Sequence, residues 1–314
     1  MTRPVVLDTD LGSDVDDAIA LALLMACPEL QLVAVTTVSA DVHARARASA
    51  RLLGLGGRGE VDVCAGAEGA LVRRDRFVWR DIETEGYPPG PDARLSAEPA
   101  AERIVRAARE TPGLELIAIG PLTNLAHALA LDPELPRRVA RLHVMGGHIR
   151  RVAIGERVCA PGIDYNLCSD PEASAMVLGA GFATRLVAAD VTLETWLRAA
   201  DLARLEAAES PVARALVPLI RLWTPWQHRI FVEELGGTLA PDNVAFLHDP
   251  LTVLSLVDES ALRFESLRIV PCIADGVFRT FEVAADVAAG ARMEVATAVA
   301  AAAAREAMLA RLAT

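Results

Sequence analysis

The sequence predicts an α/β protein: a mainly parallel central sheet, a Rossmann-like core, with helices on both faces. Three observations predict it. Short apolar runs rich in Val, Ile and Leu alternate with helix-patterned segments along most of the chain, and strands spaced by helices pair in parallel through βαβ units. Hydrophobic residues make up 53% and charged residues 23% of the 314 residues, enough apolar surface for a sizeable core. No linker, repeat or shift in composition interrupts the chain, so residues 1–314 read as a single domain.

Each element follows from its local pattern. "PVVLD" (4–8) is a buried strand, and "DAIALALLMA" (17–26) a helix stopped before Pro28. "LQLVAVTTV" (30–38) is a second strand, followed by an arginine- and alanine-rich helix at 42–54. "VDVCAG" (61–66), "LELIAIG" (114–120), "RLHVMGG" (141–147) and "TRLVAAD" (184–190) repeat the format of a strand and then a turn. Segments 67–97 and 148–166 are long and irregular, as functional loops are. Residues 259–314 read as strands and a closing helix. Sheets of this kind bind ligands at the carboxyl ends of their strands, where this chain places Asp8, Asp10, Gly120, Met145 and Asp190.

Composition excludes several functions. The net charge of −11 argues against a nucleic-acid partner, which needs a basic surface. All 31 basic residues are arginine. Without lysine there is no Schiff base, no pyridoxal-phosphate anchor and no P-loop lysine. The five cysteines (Cys27, Cys64, Cys159, Cys168 and Cys272) are odd in number and form no C-x-x-C pair, which fits a reducing, cytoplasmic setting. "MTRPVVLDTD" lacks the apolar run of a signal peptide. The alanine-rich "VATAVAAAAA" is too short to span a bilayer, so no membrane partner is expected.

The segment that carries chemistry is "DTDLGSDVDD" (8–17), with five aspartates in ten residues between a strand and a helix. Asp8 and Asp10 are two apart, so a strand through both points them to one face. Gly12 allows a sharp turn, and Asp16 and Asp17 start the helix. Helix N-terminal acidity accounts for one or two of Asp14, Asp16 and Asp17, but not for acids at the end of a buried strand. Converging carboxylates repel unless a cation sits among them. Oxygen ligands without a neighbouring His or Cys favour Ca²⁺ or Mg²⁺ over zinc. An EF-hand is excluded, because its fifth, sixth and twelfth places would fall on Gly12, Ser13 and Ile19. A haloacid-dehalogenase-like Mg²⁺ phosphohydrolase also ends its first strand in D-x-D. Its motif continues with Gly-Thr where this chain has Leu11-Gly12, and its usual lysine is absent; it stands as the alternative.

Together, "DTDLGSDVDDAIAL", "AIGPLTNLA" (118–126), "VMGG" (144–147), "DYNLCSDPEA" (164–173) and "HDPL" (248–251) resemble the inosine–uridine-preferring nucleoside hydrolase family, in family order. The resemblance implies a nucleoside-hydrolase-like fold and hydrolysis of the N-glycosidic bond of ribonucleosides. It further implies a Ca²⁺ ion that binds the attacking water and the ribose diol. By motif position, Asp10 resembles a metal ligand and the general base, Asp17 the bidentate ligand, Asp249 the third carboxylate and Ile119 a backbone-carbonyl ligand. Asp16 and Asn166 resemble ribose contacts, Asp164 stands where the family usually has glutamate, and Met145 resembles a sugar or base contact. His248 matches the histidine proposed to protonate the leaving base in some members; a near-neutral imidazole suits that role, and a structural role holding Asp249 is the other reading. The family is usually dimeric or tetrameric, which implies a homodimer or homotetramer.

The match is uneven. Ser13-Asp14-Val15 lengthens the first motif by two residues and leaves Asp14 unassigned. Ala40-Asp41 replaces a common Gly-Asn, with Asp41, like Asp8, a candidate substrate contact. "DIETEGYPPG" (81–90) stands where the family has a His-Gly segment. In "LIRLWTPWQHRIF" (219–231), Trp226 and His228 are candidate base contacts, as are Gln227 and Phe231. Trp223 fits a packing stripe, and Pro225 argues against a continuous helix. The other histidines lack a ligand pattern, with His148 the possible exception. A catalytically idle nucleoside- or sugar-binding relative is the remaining reading; a base kept beside a metal argues against it.

Overall fold

A computed structural model of the chain describes residues 2–12, 14–77, 84–87, 93–161, 164–274 and 276–314. The first units are β1 (Arg3–Thr9), α1 (Asp16–Met25), β2 (Leu30–Thr37), α2 (Val42–Leu55) and β3 (Asp62–Ala65). Next come β4 (Leu95–Ser96), α3 (Ala100–Glu110), β5 (Glu115–Ala118), α4 (Thr123–Leu131), α5 (Leu135–Arg138) and β6 (Arg141–Met145). A hairpin of β7 (Val152–Ile154) and β8 (Arg157–Cys159) leads to α6 (Tyr165–Ser169), α7 (Pro171–Leu178), β9 (Thr184–Val187) and α8 (Ala189–Thr192). The last part holds β10 (Trp196–Arg198), α9 (Asp201–Glu206), α10 (Pro211–His228), β11 (Asn243–Phe246) and α11 (His248–Val257). It closes with β12 (Leu262–Ala274), β13 (Val277–Val283), β14 (Ala291–Val299) and α12 (Ala301–Leu312).

The central sheet has ten strands in the order β4-β3-β2-β1-β5-β6-β9-β14-β12-β13. Pairing is parallel from β4 to β14 and antiparallel at β12 and β13. The chain steps outward from β1 to β4 on one side and restarts at β5 on the other. The crevice between β1 and β5 is therefore the topological switch point, where sheets of this class bind ligands.

Two apolar cores flank the sheet, as the sequence predicts. Val5, Leu7 and Ile117 feed the core under α1, α2, α10, α11 and α12. Val6, Leu116 and Ala118 feed the core under α3, α4 and α7. Successive side chains on a strand point to opposite faces, so each buried strand contributes to both.

Three features differ from the sequence-based expectation. Segment 148–166 contains the β7–β8 hairpin. "TRLVAAD" leaves the sheet after Val187, so Asp190 lies on α8. α10 runs unbroken through Pro218 and Pro225, because both prolines face solvent with Arg214 and Arg221 one turn earlier, where water can satisfy the freed carbonyls. Among the described residues, no helix is long and apolar enough to cross a membrane.

Candidate active site

Two helices begin at the switch point. α1 places Asp16 and Asp17 in its first turn, and α11 does the same with Asp249. One carboxylate oxygen from each lies within 4.8 Å of the others, and all three residues are buried. The Asp249 amide donates to Asp16 Oδ2 at 3.2 Å, joining chain segments 233 residues apart. The Thr9 hydroxyl donates to Asp17 Oδ1 and accepts from the Leu11 amide at 3.1 Å. Gly12, at φ 114°, makes the turn into α1, a backbone state that glycine reaches without strain.

Asp10 lies just past the end of β1. Gly120 lets the end of β5 pass close by, since a Cβ there would sit 2.8 Å from both the amide N and Oδ1 of Asp10. Asp8 is tied to β2 and α4. Its Oδ1 accepts from Thr36 Oγ1 at 2.6 Å and Asn124 Nδ2 at 2.7 Å, while its buried Oδ2 has no hydrogen-bond partner among the described residues. β1 ends at Thr9, so Asp10 stands one residue past it, and the charge of Asp10 still acts to raise Asp8.

The electrostatics follow from crowding. Burial pushes Asp10 up to about 6, against the opposing charge of Arg45. Burial raises Asp8 to about 7 despite the bonds from Asn124 and Thr36. Asp16, Asp17 and Asp249 are raised further, first by burial and then by the charges of neighbouring aspartates. Asp14 belongs to the same group. Its Oδ1 accepts from the Val15 amide at 2.6 Å, a local bond at the helix start, while burial and the charges of Asp17 and Asp10 push it to about 8. One guanidinium among so many carboxylates leaves a buried negative excess, and the donor set is all oxygen. These residues fit a hard divalent cation.

The other expected residues divide. Asn166 Nδ2 donates to the Ile119 carbonyl at 2.8 Å and to the Met145 carbonyl at 3.3 Å, and touches Met145 Sδ at 3.3 Å. Asn166, Ile119 and Met145 thus meet at the ends of β5 and β6. Asp164 caps α6 through the Leu167 amide at 2.7 Å, and burial raises it to about 6. Burial pushes the His248 imidazole down to about 4, so near pH 7 the ring is neutral rather than poised at its pKa as expected. Asp41 is exposed and caps α2 by accepting from the Ala44 amide at 2.8 Å. Trp226 lies 5.5 Å from the Arg229 guanidinium. His228 is exposed, 4.0 Å from Glu233. Gln227 is structural: it bonds the Asn243 side chain at 2.9 Å and the Phe246 amide at 2.7 Å. Trp223 packs on the core, and Phe231 on Phe246.

Four residues near the cage were not among the site candidates. Arg45 is fully buried, donating to the carbonyls of Ser39 at 2.7 Å, of Leu11 at 3.0 Å and of Asp10. It thereby braces Ser39 and Ala40, whose φ values of 78° and 55° are unusual for residues with a Cβ. In "HARARASA" nothing marks one arginine as buried. Asn124 orients Asp8 while also bonding the Thr37 carbonyl at 3.0 Å and the Ala67 amide at 2.8 Å; its place in "GPLTN" was the available signal. Tyr87, from the long loop, is pushed up by burial and by the charge of Asp17, so its phenol lies near the cage. Thr192 is 2.7 Å from His248 Nδ1.

A parallel α/β sheet with buried carboxylates converging at its switch point fits a class: hydrolases with an oxygen-lined site that could hold a divalent cation. The chain belongs to the inosine-uridine preferring nucleoside hydrolase family, whose model matches residues 5–310. It hydrolyses the glycosidic bond of ribonucleosides. The pyrimidine-specific ribonucleoside hydrolase RihA of Enterobacter sp. (strain 638) is 34% identical over 265 residues, covering 82% of this chain and 80% of that protein. RihA of Shewanella woodyi is 32% identical over the same length, covering 82% and 80%. A plant nucleoside hydrolase shares the fold over 100% of both chains, with a TM-score of 0.85 at 24% identity. A purine-preferring ribonucleoside hydrolase from Gardnerella vaginalis does so over 99% and 98%, at 0.82 and 22%. Family membership removes the phosphohydrolase reading.

Proposed function

We propose that Asp10, Asp17, Asp249 and the Ile119 carbonyl hold a Ca²⁺ ion, and that Asp10 is the general base. The observation that carries this reading is the buried meeting of Asp16, Asp17 and Asp249, which burial and mutual repulsion make unfavourable without a cation. When bound, the ion would polarise a water molecule and the ribose diol. Asp10 takes the proton of the attacking water, with the charge of Arg45 favouring its ionised, accepting form. Asp16, Asp164 and Asn166 grip ribose hydroxyls, with Met145 beneath the sugar. Asp8 acts by orienting this edge through Asn124, and Asp41 by capping α2. Loss of the base develops positive charge on the sugar ring, which the surrounding carboxylates stabilise. His248 donates to the departing base, and Trp226 and His228 face it.

The names of the RihA relatives put pyrimidine ribonucleosides first in the substrate panel. Reducing-sugar release from common and modified nucleosides, with Ca²⁺ and with chelator, tests the reading. Release that needs Ca²⁺ is expected; full release in chelator would overturn the cofactor assignment. The family resemblance supports a homodimer or homotetramer, measurable by light scattering. Five cysteines without disulfides support a cytoplasmic setting.

A further inference from the structure

We propose that Thr192 is a positioning residue: its hydroxyl fixes His248 as the Nε2–H tautomer, so that the imidazole presents one defined N–H donor to the leaving base. This rests on the reading of His248 as the leaving-group donor. Thr192 is the last residue of α8 and is fully buried. Its Oγ1 lies 2.7 Å from His248 Nδ1 and has no other hydrogen-bond partner among the described residues. Two arrangements are possible. If Nδ1–H donated to Oγ1, the threonine's own proton would be buried without an acceptor, which is costly. If Thr192 O–H donates to Nδ1, both groups are satisfied, and the ring's single proton is left on Nε2.

The surroundings hold this geometry. The Leu247 amide donates to the Thr195 carbonyl at 2.9 Å, and the Ala189 amide to the Gly147 carbonyl at 2.8 Å. Backbone bonds thus fix the spacing between the threonine and the histidine. Phe246 lies against the imidazole at 5.2 Å between ring centroids, and is itself backed by Phe231 at 4.7 Å. Among the described residues no carboxylate is paired with the imidazole, as one is in many catalytic histidines, and the Thr192 hydroxyl is left to set the tautomer.

The test has two arms. In ¹⁵N-histidine-labelled protein, long-range ¹H–¹⁵N correlation should show His248 as Nε2–H in the wild type and in Thr192→Ser, and as a mixture in Thr192→Val. An Nδ1–H pattern in the wild type would overturn the proposal, even if the valine variant fails to fold. In the kinetic arm, Thr192→Val should lower kcat on a nucleoside by about 10–100-fold, the scale of a proton-transfer contribution. KM should change little, and Thr192→Ser should restore the rate. Hydrolysis of an aryl riboside, whose leaving group needs no proton, should fall far less. Equal losses on both substrates, or no loss on either, would overturn the proposal. If the wild type cleaves no riboside, the nucleosidase reading fails, and the tautomer is still decided by the spectrum.

Discussion

At the carboxyl ends of β1 and β5, carboxylates face carboxylates; at the amino-terminal ends of β5, β6 and β9, each carboxylate faces a cation. Glu115 lies 3.2 Å from Arg3 and 2.5 Å from His143 Nε2. Glu294 pairs with Arg185 at 2.9 Å and with Arg141, and Arg185 also reaches Glu259 at 2.6 Å. Burial opposes ionisation of Glu115, but the His143 bond and the charges of His143, Arg3 and Arg141 outweigh it and hold the carboxyl below its usual value. Burial is outweighed at Glu294 in the same way, by Arg185 and Arg141. One sheet thus buries charge twice, balanced at one end and unbalanced at the other. The balanced set is structural, and the unbalanced set could hold a divalent cation. α11 connects them: its first turn carries His248 and Asp249, and its last carbonyls, Ser255 and Leu256, accept from Arg185 at 2.9 Å and from Arg3.

Substitution should separate the two ends most sharply. Asp10→Asn is expected to cut kcat by roughly 10³-fold or more, with no loss of stability in the metal-free protein, since it removes repulsion. Glu115→Gln should keep kcat within a few-fold while lowering stability by about 1–3 kcal/mol, the cost of unpairing buried partners. Kinetics and denaturant unfolding of both variants check this. A stable, inactive Glu115→Gln would erase the distinction.

Gly120→Ala comes next. A Cβ 2.8 Å from Asp10 Oδ1 must displace that carboxylate or the end of β5. An activity loss of about 10–100-fold with a modest fall in Tm is expected, because small misplacements of reacting groups are costly.

The two ends should also answer pH in opposite senses. Asp8 and Asp10 have folded pKa values raised from 3.8 to about 7 and about 6, so the folded state binds their protons more tightly than the unfolded chain. Stability of the metal-free protein should therefore fall as pH rises from about 4 to about 7. Glu115 and Glu294 are depressed below 4.5; their contribution is present above that value and is lost as pH falls through their folded pKa. Unfolding free energies across pH, with and without Ca²⁺, check this, and the loss on raising the pH should vanish when the cation is present.

The smallest effect is expected at Asp14. Asp14→Asn keeps an oxygen for the Val15 amide and removes one charge, so Ca²⁺ affinity should fall by only about threefold, as for one partly screened charge. A hundredfold loss by calorimetry would make Asp14 a direct ligand.

The sequence showed the parallel sheet through its alternating strands and helices. It showed the cage through Asp16 and Asp17 at a helix start and the distant "HDP". The partners of Asp8 were not legible, because Thr36 and Asn124 come from β2 and α4 and meet it only in the fold. Arg45 was hidden among similar arginines on an alanine-rich helix, since burial of one of them is decided by tertiary packing. The Glu115–His143 pair joins residues 28 apart in two apolar strands, with no motif to announce it. The β7–β8 hairpin turns at Gly155-Glu156, with Gly155 at φ 62°, a signal that strands of three residues each left inconspicuous in a long loop.

We propose that the unbalanced end of the sheet is a cation site, and calorimetric titration of Ca²⁺ into metal-stripped wild type and Asp249→Asn measures this. One site per chain is expected in the wild type and none in the variant. No binding to the wild type, or equal binding to both, would contradict it.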